Sequence, residues 1–148
     1  MPDCFTPAFR SEVMSRIRAT HTKPEERLVA ALLQVLGNDF GIERNVRSLP
    51  GCPDIVVPTL RVCVFADGCF FHGCTRHSRV PRSNSMYWRD KIQRNGRRDR
   101  RYTRMLRISG WSVWRVWEHD LTPSRERHTL ARLRRSLAIR RRSLAATD

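Results

Sequence analysis

Lysine is nearly missing from this chain, with 2 residues against 27 arginines among 148. Acid is scarce as well: 14 Asp and Glu face 29 Lys and Arg, for a formal charge of +15 at pH 7. A GC-rich coding bias accounts for Arg in place of Lys, but not for twice as much base as acid. The surplus implies a polyanion partner, most simply DNA or RNA, and guanidinium forks suit phosphate oxygens. No run approaches the roughly 20 apolar residues needed to span a bilayer, so no membrane partner is expected. Met1-Pro-Asp-Cys-Phe5 lacks the charged-then-apolar order of a signal peptide, and a cytoplasmic protein is expected. Cysteines number five, an odd count that argues against disulfides in a reducing compartment. Cys63 lies in an apolar run and reads as core. Cys4 and Cys52 have no nearby partner. There is no internal repeat, and the length suits one domain.

Residues 1–21 read as a basic arm whose main apolar points are Met14 and Ile17. Thr22-x-x-Glu25 has the form of a capping box, with Pro24 in the first turn. Leu28, Leu32, Leu33 and Leu36 then give one helical face that stops at Gly37. Three β-rich runs follow, Ile42 to Arg47, Asp54 to Val57 and Arg61 to Phe65, punctuated by Pro50-Gly51 and Pro58. Residues 86–108 predict a helix with Ile92, Met105 and Leu106 on its inner side and Gly110 at its end. Trp111 to Trp117 reads as a last strand. Thr122-Pro123-Ser124 opens a basic C-terminal helix with Leu130, Leu133 and Leu137 on one side. The order α-β-β-β-α-β-α implies an α/β fold with a mixed central sheet flanked by helices. It divides into the arm 1–21, a core 22–121, and a basic helix and tail 122–148.

The segment Asp67-Gly-Cys-Phe-Phe-His-Gly-Cys-Thr-Arg-His77 carries the densest chemistry. Cys69-x4-Cys74-x2-His77 supplies three plausible zinc ligands, and a structural zinc site wants a fourth. His119, just past the Trp-rich strand, is the best donor; His21 and His128 are alternatives. Phe70 and Phe71, beside basic residues, are suited to stacking on bases. Upstream, Pro53-Asp54 heads an apolar strand and resembles the metal-binding Asp of the PD-(D/E)xK nuclease superfamily. That superfamily's acid-x-Lys motif is absent, because the next strand ends Phe65-Ala66-Asp67-Gly68. Another base must replace the lysine, and His72 is the nearest candidate.

Taken in order, Met14-Ser-Arg-Ile-Arg18, Glu25-Glu-Arg-Leu28, Pro50-Gly-Cys-Pro-Asp54, Phe65-Ala-Asp-Gly-Cys-Phe-Phe-His-Gly-Cys74, Pro81-Arg-Ser-Asn84, Tyr87-Trp-Arg-Asp-Lys-Ile92, Asn95 to Asp99, and Gly110-Trp111 to Trp117-Glu118 resemble the very short patch repair DNA mismatch endonuclease family. The resemblance covers roughly residues 11–121. It implies a restriction-endonuclease-like fold and an enzyme that nicks DNA 5′ to the thymine of a G·T mismatch left by deaminated 5-methylcytosine. Asp54 would hold Mg²⁺ with the backbone carbonyl of Ala66, and Glu25 would assist through water. His72 would act as general base, oriented by Asp99. Phe70, Phe71 and Trp88 would wedge into the base stack; position 71 is often Trp in the family. Cys69, Cys74, His77 and His119 would hold zinc. Met14, Arg16, Arg18, Arg79 and Arg82 would contact DNA. The expected partner is mismatched duplex DNA, bound by a monomer at the nucleoid, with a functional link to a cytosine-5 DNA methyltransferase.

Two other readings stay open. One is a zinc-stabilised DNA-binding module without catalysis, which has no use for Asp54, His72 and Asp99 together. The other is a restriction-like or damage-specific endonuclease, which the smaller wedge at Phe71 allows. The run Arg140 to Arg142 reads as a solvated helix face or a nonspecific DNA contact.

Overall fold

The computed structural model describes residues 22–38 and 40–147, together with Thr6 and Ala8. Met14, Arg16, Arg18 and His21 lie outside the described residues. Helix α1 (Lys23–Leu36) begins at Thr22, whose side chain accepts from the Glu25 N–H. It ends at Gly37, at φ +74°, a backbone setting glycine adopts without penalty. Strands β1 (Glu43–Arg44), β2 (Ile55–Val57) and β3 (Val62–Asp67) follow, the last two joined by a 3-10 turn at Pro58–Leu60. Helix α2 (Ser85–Ile108) crosses back to β4 (Ser112–Trp117). A 3-10 turn at Glu118–Leu121 leads to α3 (Glu126–Ala145). The expected element order is present.

The sheet runs β1-β2-β3-β4, antiparallel except for the parallel β3–β4 pair, in which Ala66 lies opposite Val116. A parallel pair needs a crossover of a dozen or more residues, and α2 supplies it. Helices cover both faces, so β2 and β3 read as nearly unbroken apolar runs. On one face Ile55, Val57, Val62, Val64 and Val116 pack with Leu28, Leu32, Leu133 and Leu137 of α1 and α3. On the other, Val56, Cys63, Phe65 and Val113 pack with Leu106 of α2. Cys63 is a core residue as expected; burial pushes its thiol up to about 12.

Four expectations need adjustment. The first strand is shorter than Ile42 to Arg47 because Asn45 sits at φ +50°, which turns the chain out of the extended form. Met105 is 41% exposed, so Leu106 alone carries the inner face at that end of α2. Trp111 belongs to the helix stop rather than the strand. Its N–H donates to Leu106 O and the Gly110 N–H donates to Arg107 O, a Schellman pair that closes α2. Strand β3 runs two residues beyond Phe65. The alternation of strand side chains therefore sends Asp67 to the α2 face together with Cys63 and Phe65.

Candidate active site and metal centre

Two clusters of polar side chains form where β3 leaves the sheet. The first begins with Asp54, immediately before β2. Its Oδ2 accepts from the Ala66 N–H at 2.8 Å, which holds the carboxylate against the β3 backbone. Burial drives its pKa up to about 6; Glu25 and Asp67 add to the rise, while the Ala66 bond and His72 oppose it. Glu25 is 1% exposed on α1 and accepts from Arg44 Nη2 at 2.9 Å and Asn45 Nδ2 at 3.0 Å. The capping-box acid is thus committed to β1, and its charge is felt at Asp54.

His72 stands on the turn that follows β3, where its N–H donates to Gly68 O. Its Nδ1 lies 2.6 Å from Oδ2 of Asp99, on α2. Burial pulls the imidazole's pKa down, but the Asp99 hydrogen bond and the charges of Asp67 and Asp99 outweigh it, so it lies above the ordinary value. Burial raises Asp99, and the His72 bond and the positive charges of His72 and Arg115 more than reverse this, leaving it low. An ionised Asp99 can only accept, so His72 carries its proton on Nδ1 and presents Nε2 as the basic atom.

Two more residues enter this cleft that were not assigned roles from sequence. Arg115, on β4, donates from Nε and Nη2 to the two oxygens of Asp67 at 2.7 and 2.9 Å. It also lies 3.4 Å from Asp99 Oδ1. The available signal was an Arg at an inward position of β4, two residues from buried Val113. A guanidinium there requires a carboxylate partner.

The second cluster is Cys69, Cys74, His77 and His119, whose four ligand atoms all lie within 4.8 Å of one another. Sγ of Cys69 is 3.3 Å and Sγ of Cys74 3.6 Å from Nδ1 of His119, and Cys74 Sγ is 3.6 Å from Nδ1 of His77. These are edge lengths of a tetrahedron with a metal at its centre. His119 is the fourth member, and neither His128 nor any other described residue joins the group. His119 Nε2 lies 3.5 Å from the buried carboxylate of Asp120, the kind of outer partner that orients a ligating imidazole. Glu118 accepts from the Cys69 N–H at 3.2 Å and ties the loop to the end of β4.

The aromatics sit between the clusters. Phe70 packs edge-on against Phe71 and Trp88, each at 5.1 Å between ring centres. Trp88 is only 6% exposed, so it supports Phe70 from behind rather than presenting its own face. Neighbouring Met86 and Tyr87 are exposed, and Lys91 lies over the Phe71, Tyr87 and Trp88 rings. Asn95 donates to the Phe71 carbonyl at 2.9 Å and pins the aromatic turn to α2. Arg79 and Arg82 are exposed in the segment leading into α2. Among the described residues, no helix is long and apolar enough to cross a membrane.

A strongly basic α/β protein that sets a carboxylate–imidazole cluster beside a Cys/His group able to hold a metal ion has parts that suit a nuclease. Comparison with known proteins makes the class specific. Residues 2–78 match the family model described as DNA mismatch endonuclease Vsr, and the chain belongs to that family. Over 103 residues it is 41% identical to the type II nicking enzyme V.XorIIP of Xanthomonas oryzae pv. oryzae, across 68% of this chain and 73% of that one. Over 116 residues it is 43% identical to the type II nicking enzyme V.NaeI of Lentzea aerocolonigenes, across 76% and 69%. Over 102 residues it is 40% identical to the DNA mismatch endonuclease Vsr of Escherichia coli, across 68% and 64%. The first two relatives are named as nicking enzymes and the third as a mismatch endonuclease. The mixed sheet flanked by helices and the possible Cys/His metal site agree with the family reading.

Proposed function

We propose that this chain is a Mg²⁺-dependent endonuclease that nicks one strand of duplex DNA 5′ to the thymine of a G·T mismatch, the product of 5-methylcytosine deamination, and so opens very short patch repair. The observation that carries the reading is the 2.6 Å contact of His72 Nδ1 with Asp99, which leaves Nε2 ready to take a proton from water. Asp54 fits a hard cation. Its carboxyl is half-buried, lies near two other acids and is pushed up to about 6, the mark of negative charge without enough compensation. Asp54 and the Ala66 carbonyl would hold the ion, and Glu25 would act through water. Mg²⁺ bound there would draw off charge from the phosphate oxygens and acidify a bound water.

The Cys/His set suits zinc by its two sulfurs, two nitrogens and spacing. All four positions come from the protein, which leaves none for substrate, so the zinc is structural. Phe70 and Phe71 would enter the base stack, where unstacking costs least at a mispair. Arg79 and Arg82, with Met14, Arg16 and Arg18 of the arm, would position the backbone and make binding salt-sensitive. The enzyme would work as a monomer in the cytoplasm, at the nucleoid, in functional partnership with a cytosine-5 DNA methyltransferase.

The test is incubation with matched duplexes that differ at one pair, G·T or G·C, with Mg²⁺ or with chelator. A single nick 5′ to the mispaired thymine, only with Mg²⁺, is expected. Equal cutting of the perfect duplex would replace the mismatch enzyme by a restriction-like one. Tight binding without any nick would leave a DNA-binding module.

A further inference from the structure

The guanidinium of Arg115 lies between Asp67 and Asp99, and every one of its nitrogens is engaged. Nε and Nη2 grip Asp67, Nη1 donates to Thr103 Oγ1 at 3.1 Å, and Nη2 also faces Asp99 Oδ1 at 3.4 Å. Its flat face lies 4.5 Å from the centre of the Phe65 ring. Thr103 stands one helical turn beyond Asp99, so the fork reads two successive rungs of α2 from β4.

His72 has two carboxylates within reach of Nδ1, Asp99 at 2.6 Å and Asp67 at 3.7 Å. They are not equivalent partners. Asp67 spends both oxygens on Arg115, whereas Asp99 turns Oδ1 to Arg115 and leaves Oδ2 for the imidazole. Without the guanidinium, the buried Asp67 and the half-buried Asp99 carboxylates would repel each other and compete for one N–H. We infer that Arg115 is a positioning residue for the proposed hydrolysis. By sequestering Asp67 and fixing the tilt of Asp99, it selects the single acceptor that holds His72 with Nε2 toward the substrate. Asp67 is the other half of the device, because it anchors the guanidinium. This inference rests on the proposed role of His72 as base.

Lysine cannot reproduce the fork, since an ammonium is a point charge on a flexible stem. Arg115→Lys therefore keeps the charge and the fold but loses the selection, and Arg115→Met loses both. The test measures single-turnover nicking of the G·T duplex, duplex affinity, and the ¹⁵N signals of the His72 ring in the full chain. Arg115→Lys is expected to slow nicking about 10- to 100-fold, the cost of small misplacements at a reacting centre, with affinity unchanged within about twofold. In the Asp99→Asn background the same change should add almost nothing, because both act on one imidazole. The ring signals should pass from a single Nδ1–H form to a mixture of tautomers. Wild-type nicking in a folded Arg115→Lys protein, losses that multiply with Asp99→Asn, or an unchanged ring spectrum would each overturn the inference. A wild-type chain inert on every duplex would count against the proposed function instead, and the ring spectra would still decide whether Arg115 selects the acceptor.

Discussion

The Cys/His cluster and the Asp/His cleft are neighbours on one short turn, and they obey opposite rules. Cys69, Cys74, His77 and His119 point their donor atoms at one another and satisfy themselves around one centre. Asp54, His72, Asp67 and Asp99 leave something over: a carboxyl raised by burial, and an imidazole with one nitrogen committed and one spare. A closed set of soft ligands is a staple. An open set of hard ligands with a base beside it is a place where a reaction can be driven. The difference teaches that ligand density alone does not locate the chemistry; the unsatisfied remainder does.

The largest effect that would break or uphold this contrast comes from Asp54→Asn. Nicking should fall about 10³-fold or more, since the cation's main anchor is gone. Stability should move the other way. The fold raises the carboxyl's pKa from 3.8 to about 6, so the fold favours its protonated form. That contribution is complete below the unfolded value and is lost as pH rises through about 6, so ionised Asp54 costs stability at neutral pH. Thermal melts in chelator at pH 7 should show the variant about 1–2 kcal/mol more stable. The gain should vanish near pH 4.

Next is Asp99→Asn, with an expected loss of about 10²-fold in the nicking rate, because the ring is no longer held in the productive tautomer. As the proposed base, His72 would work only when neutral, and its pKa lies above the ordinary value. The rate should therefore climb with pH until it passes that raised value. With the acid removed, burial dominates and the inflection should move to lower pH. A profile that stays in place in the variant would detach Asp99 from the base.

Cys74→Ser tests the staple. Loss of one ligand should lower the melting temperature by roughly 10 °C and depress nicking only as the loop loosens. Identical melting curves for the wild type with and without chelator would break the contrast from the other side. The smallest effect belongs to the hinge between the regions. Gly73 sits at φ +68°, and an added Cβ would stand 2.8 Å from Ile92 Cγ2. Gly73→Ala should cost about 1–2 kcal/mol of stability and about tenfold in rate through a displaced His72. A crystal structure of the variant with an unmoved turn would remove that link.

Much of this was legible in the chain. Helix stops at Gly37 and Gly110 and the apolar runs of β2 and β3 announce themselves through glycine and periodicity. The family resemblance named Asp54, His72 and Asp99, and the structure brings the last two into contact. What stayed hidden depends on distance in sequence. Arg115 meets Asp67 only because β3 and β4 run parallel across a long helical crossover, and no local pattern gives that register. The resemblance placed Trp88 beside Phe70 and Phe71 in the wedge, while its burial against Phe70 depends on packing that the sequence does not spell out. Asn45 ends β1 at φ +50°, a setting that asparagine tolerates better than most residues but that its presence in a β-rich run does not by itself announce.

The parallel pairing of β3 with β4 has a further consequence, in the order of synthesis. Asp54, His72 and both cysteines of the staple are translated early, but Asp99, Arg115 and His119 emerge tens of residues later. Until α2 packs on the sheet the imidazole has no acid to hold it, and until β4 docks Arg115 is missing and the Cys/His cluster lacks His119. A ribosome-bound or prematurely terminated chain would thus carry the basic surface and the aromatic turn without a competent cutting centre. Placing Asp99, Arg115 and His119 after the loop delays completion of both clusters until α2 and β4 have joined the sheet.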